Sequence, residues 1–303
     1  MKKLKYFFIL LILMGLGFIH FYLPRIITEV KNPIVTLLKG NYYKQQNETY
    51  NIDPTIGKTI EFKTFDQVIL KGYHTYSKQK ISKGVIILLH GIRSQKEHFI
   101  VMSNRLSNRG YDVVAIDLRA HGESEGVHCT FGVKEKQDLK CLIDFLESNN
   151  DFKSIGIWGQ SLGGAIGLQA LMYDSRINFG IIESTFSDLS TITNDYLTNK
   201  IGFEWRLFSD YLLNRAGVIA GFKPKLASPI DACKVIKQPV LMVHGSADRR
   251  IKIKYSMMNF GYLVNKDAQY IEVNGANHLN VWEVGGDNYL REVFNFLDNN
   301  SIK

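Results

Sequence analysis

The chain predicts an α/β fold: a mostly parallel central sheet with helices on both faces, preceded by one transmembrane helix. Three observations predict it. Short strands that are apolar throughout alternate with amphipathic helical stretches, the pattern of strands covered on both faces. A pentapeptide, Gly159-Gln160-Ser161-Leu162-Gly163, stands where one such strand would meet a helix. An acid, Asp248, and a histidine, His278, each follow a later β-rich apolar run.

The elements follow in order. Met1-Lys2-Lys3-Leu4-Lys5 is basic, and residues 6–23 are almost all apolar, with His20 the one interruption near the far end. About 18 apolar residues in a helix reach about 27 Å, close to the hydrocarbon thickness of a bilayer. The lysines before them favour the cytoplasmic side, which puts the bulk of the chain outside. A cleaved signal peptide would have a shorter apolar core and small residues at its end. This run closes on Phe21-Tyr22-Leu23-Pro24 instead. The expectation is a single-pass anchor in the cell membrane over 1–24, a stalk or lead-in over 25–55, and a catalytic domain over 56–303.

Within that domain, 59–64 and 67–76 alternate and read as an antiparallel hairpin at the sheet edge. Strands follow at 85–89, 112–116, 154–158 and 178–183. Helices are expected near 97–109 and 132–148, the second with an apolar stripe from Phe131 and Val133 to Leu146. Between about 185 and 235 the alternation stops. Two or three amphipathic helices carry Phe186, Tyr196, Phe203, Trp205, Phe208, Tyr211 and Phe222. This insertion reads as a small helical cap over the mouth of the site. Strands resume at Val240-Leu241-Met242-Val243 and Tyr270-Ile271-Glu272-Val273.

The glycines around Ser161 allow a very tight strand-to-helix turn that pushes its hydroxyl into a cleft. Ser161, Asp248 and His278 all fall just past the carboxyl ends of strands, the edge where open α/β sheets bind ligands. A serine hydroxyl needs a base at hydrogen-bond distance. His278 is assigned that part, and Asp248 holds its ring in the right tautomer. The chain order is Ser, Asp, His.

At this point the chain resembles the α/β hydrolases, most of all the bacterial branch described as serine aminopeptidase-like or acyl-esterase-like. Val85-Ile86-Ile87-Leu88-Leu89-His90-Gly91 is similar to the strand and His-Gly turn that bring in the oxyanion loop. Asp117-Leu118-Arg119-Ala120-His121-Gly122-Glu123-Ser124 resembles the family's D-x-R-G-H-G-x-S loop, with Ala120 where glycine is usual. The resemblance covers roughly 55–300 and implies a serine hydrolase that cleaves an ester, thioester or amide through an acyl-enzyme on Ser161. The backbone N–H groups of Ile92 and Leu162 are the expected oxyanion donors. His90 is expected to support its loop, and His121, Asp117 and Arg119 to stabilise theirs. His244 reads as a satisfied core histidine, Asn277 as a shaper of the His278 loop, and Asp188 and Asp231 as helix caps or surface groups. Glu183 is the rival acid position, ranked below Asp248. Two other readings of the same fold are an acyltransferase and a catalytically idle, membrane-tethered binding protein.

Composition narrows the field. The chain has 303 residues, 45% hydrophobic and 22% charged, an ordinary globular balance. Part of its net charge of +8 sits in Lys2, Lys3 and Lys5, and no basic stretch interleaves with aromatics, so a nucleic-acid partner is not expected. Cys129, Cys141 and Cys233 form no metal-like cluster. There is no HExxH and no phosphate loop, so no metal or cofactor is expected. Dehalogenase and epoxide-hydrolase chemistry would need a carboxylate where Ser161 stands. The expected partners are a small-molecule or lipid-like acyl substrate and the membrane.

Overall fold

The computed structural model describes residues 2–32, 56–149 and 152–301. Its first helix, α1 (Lys2–Gly17), passes through a π-helical turn (Phe18–Tyr22) into a short α2 (Arg25–Thr28). From Lys3 to Thr28 this is one helix of 26 residues, long and apolar enough to cross a membrane by length and composition. It does not end at Pro24 as expected. Proline has no N–H to donate and its ring crowds the carbonyl four residues back. The wide turn, in which the Leu23 N–H donates to the Phe18 carbonyl at 2.9 Å, opens the ladder there and lets the helix continue.

The expected stalk also begins differently. Residues 25–32 are docked on the domain. The Cys129 N–H donates to the Thr28 carbonyl at 2.9 Å, Lys31 Nζ donates to the Ser124 carbonyl at 3.0 Å, and Val30 is buried in the core. The rest of the stalk, 33–55, lies outside the described residues.

Strands β1 (Gly57–Lys63) and β2 (Ile69–Thr75) form the antiparallel hairpin expected at the sheet edge. β2 pairs antiparallel with β4 (Asp112–Ile116), which lies parallel to β3 (Val85–Leu89). β5 (Ile155–Gln160), β6 (Phe179–Glu183), β7 (Val240–Gly245) and β8 (Gln269–Val273) continue in parallel, giving the order β1-β2-β4-β3-β5-β6-β7-β8. Every residue of β3 to β7 is buried, as the unbroken apolar runs require.

Alternate strand residues feed two cores. Ile87, Leu89, Val114, Ile157, Ile182 and Met242 pack on one side, with α4 (Glu135–Asn149), α5 (Leu162–Tyr173) and, further on, α9 (Lys254–Tyr262). Ile86, Leu88, Trp158, Ile181 and Val243 pack on the other, under α3 (Ile100–Asn108) and α10 (Val281–Ser301, broken at Gly286). Each such buried side chain contributes about 1.5–3 kcal/mol.

The helix expected from 132 starts at Glu135 because Phe131 and Gly132 both take positive φ. The Glu135 carboxylate then accepts from the N–H groups of Thr130 at 2.7 Å and Gly132 at 2.8 Å, sealing the turn ahead of the helix. The insertion after β6 holds α6 (Leu189–Ile201), α7 (Arg206–Ala220) and α8 (Pro229–Cys233). Asp188 caps α6 by accepting from the Thr191 N–H at 2.8 Å. Asp231 sits in the first turn of α8, where Ser228 is the cap.

Candidate active site

Ser161 occupies the turn between β5 and α5 with φ 57° and ψ −114°, a conformation that costs about 1–3 kcal/mol in a residue with a side chain. The surroundings hold it there. Its N–H donates to the Glu183 carbonyl at 2.8 Å, and Thr185 Oγ1 donates to its carbonyl at 3.0 Å. The flanking glycines are demanded by space. A Cβ at Gly163 would run into the Leu89 carbonyl, and one at Gly159 into the Gly163 carbonyl. The strand and helix therefore close tightly enough to lift the serine hydroxyl off the sheet edge.

The loops after β7 and β8 are laced together before they present their side chains. The Ser246 N–H donates to the Val273 carbonyl at 3.1 Å and the Ala247 N–H to the Ala276 carbonyl at 2.9 Å. Ser246 Oγ accepts from the Gly275 N–H at 2.8 Å. Asn277 shapes the tip by accepting the Leu279 N–H at 2.9 Å. On this frame His278 Nε2 lies 2.9 Å from Ser161 Oγ, and His278 Nδ1 lies 2.7 Å from Asp248 Oδ2. The three side chains named from the sequence thus meet at one point. Ser161, Asp248 and His278 are 8%, 6% and 8% exposed. Burial pushes the Asp248 carboxyl up, but hydrogen bonds from His244 and His278, with the Ile251 N–H, outweigh it and hold the acid well below the usual carboxylate range.

The loop after β3 backs onto the serine. A Cβ built on Gly91 would lie 3.4 Å from the Ser161 Cβ. The Ser94 N–H donates to the Gly91 carbonyl at 3.1 Å, making a tight turn across Ile92. The N–H groups of Ile92 and Leu162 donate to no other described group, and Leu162 opens a helix, where the first N–H has no partner within it. His90 fixes this loop. Its Nδ1 donates to the Gly91 carbonyl at 2.8 Å, and its Nε2 accepts from the Leu118 N–H at 3.1 Å. Full burial pushes its pKa down to about 4, so the ring is neutral and the tautomer set. Asp117 accepts from the Lys96 N–H at 2.8 Å and Lys96 Nζ at 2.9 Å. Arg119 binds Asp138 at 2.6 Å and Asp66 at 3.1 Å. These groups brace loops, as expected.

The fold and site can now be set against known proteins. Residues 80–192 match the family model described as serine aminopeptidase, S33. A solved esterase from Pyrococcus furiosus superposes with a TM-score of 0.68 at 25% identity, covering 82% of this chain and 94% of its own. The chain has the α/β-hydrolase fold. Among curated relatives, the chain is 26% identical to the uncharacterised protein YqkD of Bacillus subtilis over 243 residues, covering 76% of this chain and 75% of YqkD. It is 24% identical to the uncharacterised protein YfhR of Escherichia coli K12, covering 84% of this chain and 86% of YfhR.

Two residues near the site do more than the sequence indicated. Glu183, the rival acid, does not face His278. Its fully buried carboxylate accepts from Trp158 Nε1 at 2.9 Å, Trp282 Nε1 at 2.8 Å, Gln160 Nε2 at 3.3 Å and the Tyr289 hydroxyl. Burial nonetheless pushes its pKa up, those four donors opposing. Gln160 in turn accepts from His98 Nε2 at 2.8 Å. Glu183 is therefore the hub of the floor directly under the Ser161 turn. His244 is not a fully satisfied core histidine. Its Nε2 donates to the Ile251 carbonyl at 2.8 Å and faces Asp248 Oδ2 at 3.3 Å, while its Nδ1 has no described partner. It faces the same Asp248 oxygen that His278 Nδ1 meets at 2.7 Å. Its place five residues into the Val240-to-Asp248 run was the one available signal.

Proposed function

We propose that the protein is a serine hydrolase that cleaves a carboxylic ester through an acyl-enzyme on Ser161. The observation that carries this is the unbroken line Asp248–His278–Ser161, at 2.7 and 2.9 Å, ending on a serine held in a strained turn. In the reaction Ser161 Oγ attacks the substrate carbonyl carbon while His278 Nε2 takes its proton. Asp248 keeps Nδ1–H pointed inward and stabilises the imidazolium. The oxyanion that forms is met by the N–H groups of Ile92 and Leu162, and losing one such donor costs about 3 kcal/mol in the barrier. His278 returns the proton to the leaving alcohol. Water then attacks the acyl-enzyme with His278 again as base, releasing the acid and restoring Ser161.

An ester is favoured because the Pyrococcus furiosus neighbour is an esterase and because this chain pairs an apolar helix with an aromatic-rich cap. The same helix supports a retained single-pass anchor in the cell membrane. The lysines before it favour an N-terminus in the cytoplasm and a catalytic domain outside it.

The deciding experiment is fluorophosphonate labelling followed by peptide mapping. Label on Ser161 is expected. Ser161→Ala should lose at least about 10⁴-fold in p-nitrophenyl ester turnover with an unchanged melting temperature. Full turnover in the variant would remove the proposal.

A further inference from the structure

The cap carries a surface that the hydrolase chemistry does not use. Residues 201–207, joining α6 to α7, are all exposed. Among them Ile201, Phe203, Trp205 and Leu207 are 38%, 58%, 48% and 83% exposed. An apolar cluster of this kind on a chain's surface marks an interaction site. Its one acid is held in place, since Glu204 Oε1 accepts from Asn194 Nδ2 at 2.8 Å. Exposed Lys200 flanks the cluster, and Arg206 within it pairs with Asp210 at 3.2 Å.

This tip is joined to the apolar N-terminal helix. Phe203 stacks on Trp205 with ring centres 6.2 Å apart, and Trp205 stacks on Phe208 at 4.6 Å. Phe208 and Tyr211 then form a groove with Leu16, Gly17, Ile19 and Phe21 of the helix. The junction is pinned by a hydrogen bond of 2.6 Å between His20 Nδ1 and the Tyr211 hydroxyl. The helix is thus fixed to the cap at its exit end, through the last turns of its apolar run. When α1 spans a bilayer, Phe208 and Tyr211 lie beside the exit end of its apolar run, and the tip is joined to them through the Phe203–Trp205–Phe208 stack. Aromatic side chains with a polar edge concentrate at the membrane–water boundary, and basic residues beside them meet lipid phosphates.

We propose that the α6–α7 tip docks on the lipid bilayer, seating Phe203, Trp205 and Leu207 in the headgroup–acyl boundary next to the exit of α1. This rests on the retained anchor described under Proposed function. It makes the substrate of the Ser161 site an ester held in, or drawn from, the membrane.

The test uses the full chain in nanodiscs made with phosphatidylcholine that bears a nitroxide near the headgroup or deep in the acyl chain. The chain has three tryptophans, so the emission lost in Trp205→Phe isolates Trp205. Quenching of that component by the shallow label, several-fold stronger than by the deep one, supports docking. No quenching by either label, with free access to iodide, overturns it. Shielding from iodide without lipid quenching, rising with the number of chains per disc, assigns the tip to a second copy and also overturns it. Intact mass of the same sample shows whether α1 is retained, so loss of the anchor is read separately. As a second measurement, the double variant Phe203→Ser, Leu207→Ser should lose about tenfold in turnover of a long-chain ester presented in the bilayer. It should keep its turnover of soluble p-nitrophenyl acetate. An equal loss on both substrates overturns docking as the role of the tip. If wild type hydrolyses neither ester, the serine-hydrolase reading falls, while the quenching result stands on its own.

Discussion

Beneath Ser161 a single carboxylate gathers four side-chain donors in a fully buried floor. At the α6–α7 tip, by contrast, residues 201–207 are all exposed. The floor is a polar network in low dielectric, where each unmade bond is expensive. The tip is apolar surface in contact with solvent, where substitutions change little inside the protein. The difference separates two tasks. The floor holds the turn on which the serine stands, and the tip offers apolar surface to whatever lies outside the domain.

The largest effect should come from breaking the floor. Glu183→Ala leaves the Trp158, Trp282, Gln160 and Tyr289 donors without an acceptor, and each buried orphan costs about 1–3 kcal/mol. Thermal unfolding should report a loss of about 4 kcal/mol or more, with turnover falling as the Ser161 turn slackens. A loss below about 1 kcal/mol would mean the four bonds do not act as a unit.

Acid should attack the same region through its histidines. Burial lowers His90 to about 4 and His121 to about 3, against 6.5 for a free side chain. The unfolded chain therefore binds more protons than the native one below pH 6.5. The stability from both rings is whole above that value and drains as the pH falls toward 4. At about 1.4 kcal/mol per pH unit for each group, His90 alone loses roughly 3 kcal/mol by pH 4. Denaturant titrations from pH 7 to 4 should show up to about two protons taken up on unfolding, and His121→Phe should remove one of them. A flat profile would contradict neutral burial.

A smaller effect tests a local exception. Ala120 takes φ 64°, in the left-handed region that favours glycine. A left-handed residue with a Cβ is strained by about 1–2 kcal/mol. Ala120→Gly should raise stability by about 1 kcal/mol after its lost methyl contact, and a fall would show that the methyl packs better than the backbone suffers. The smallest effect belongs to the tip. Leu207→Ser should shift unfolding by no more than about 0.5 kcal/mol, and a larger loss would place Leu207 in the internal structure.

Much of this architecture was legible because it is written locally. Unbroken apolar runs marked β3 to β7, and the spacing of glycines around Ser161 marked the turn. The acid and the histidine stand directly after strands, so their convergence followed from parallel pairing alone. The floor was not legible for the converse reason. Glu183 meets Trp282 and Tyr289 about 100 residues downstream, and no periodicity links them. The sequence ranked it below Asp248 as an acid, and the physical reason is that its carboxylate is consumed by four donors. His244 looked satisfied because a strand-end histidine ordinarily finds a carbonyl; that it also faces Asp248 depends on how the chain folds back after residue 248. The apolar run closes at Pro24, and the π turn before it carries the helix on to Thr28.

The docking of residues 25–32 has a practical side. Thr28 supplies the acceptor for the buried Cys129 N–H, and Val30 fills part of the main core. Cutting the chain at the hairpin, near residue 56, would strip that acceptor and open a hole beside the loop that runs from Asp117 to Cys129. Cutting just ahead of Arg25 would remove the apolar helix and leave both in place. The shortest chain that keeps both contacts therefore begins inside the final turns of the long N-terminal helix.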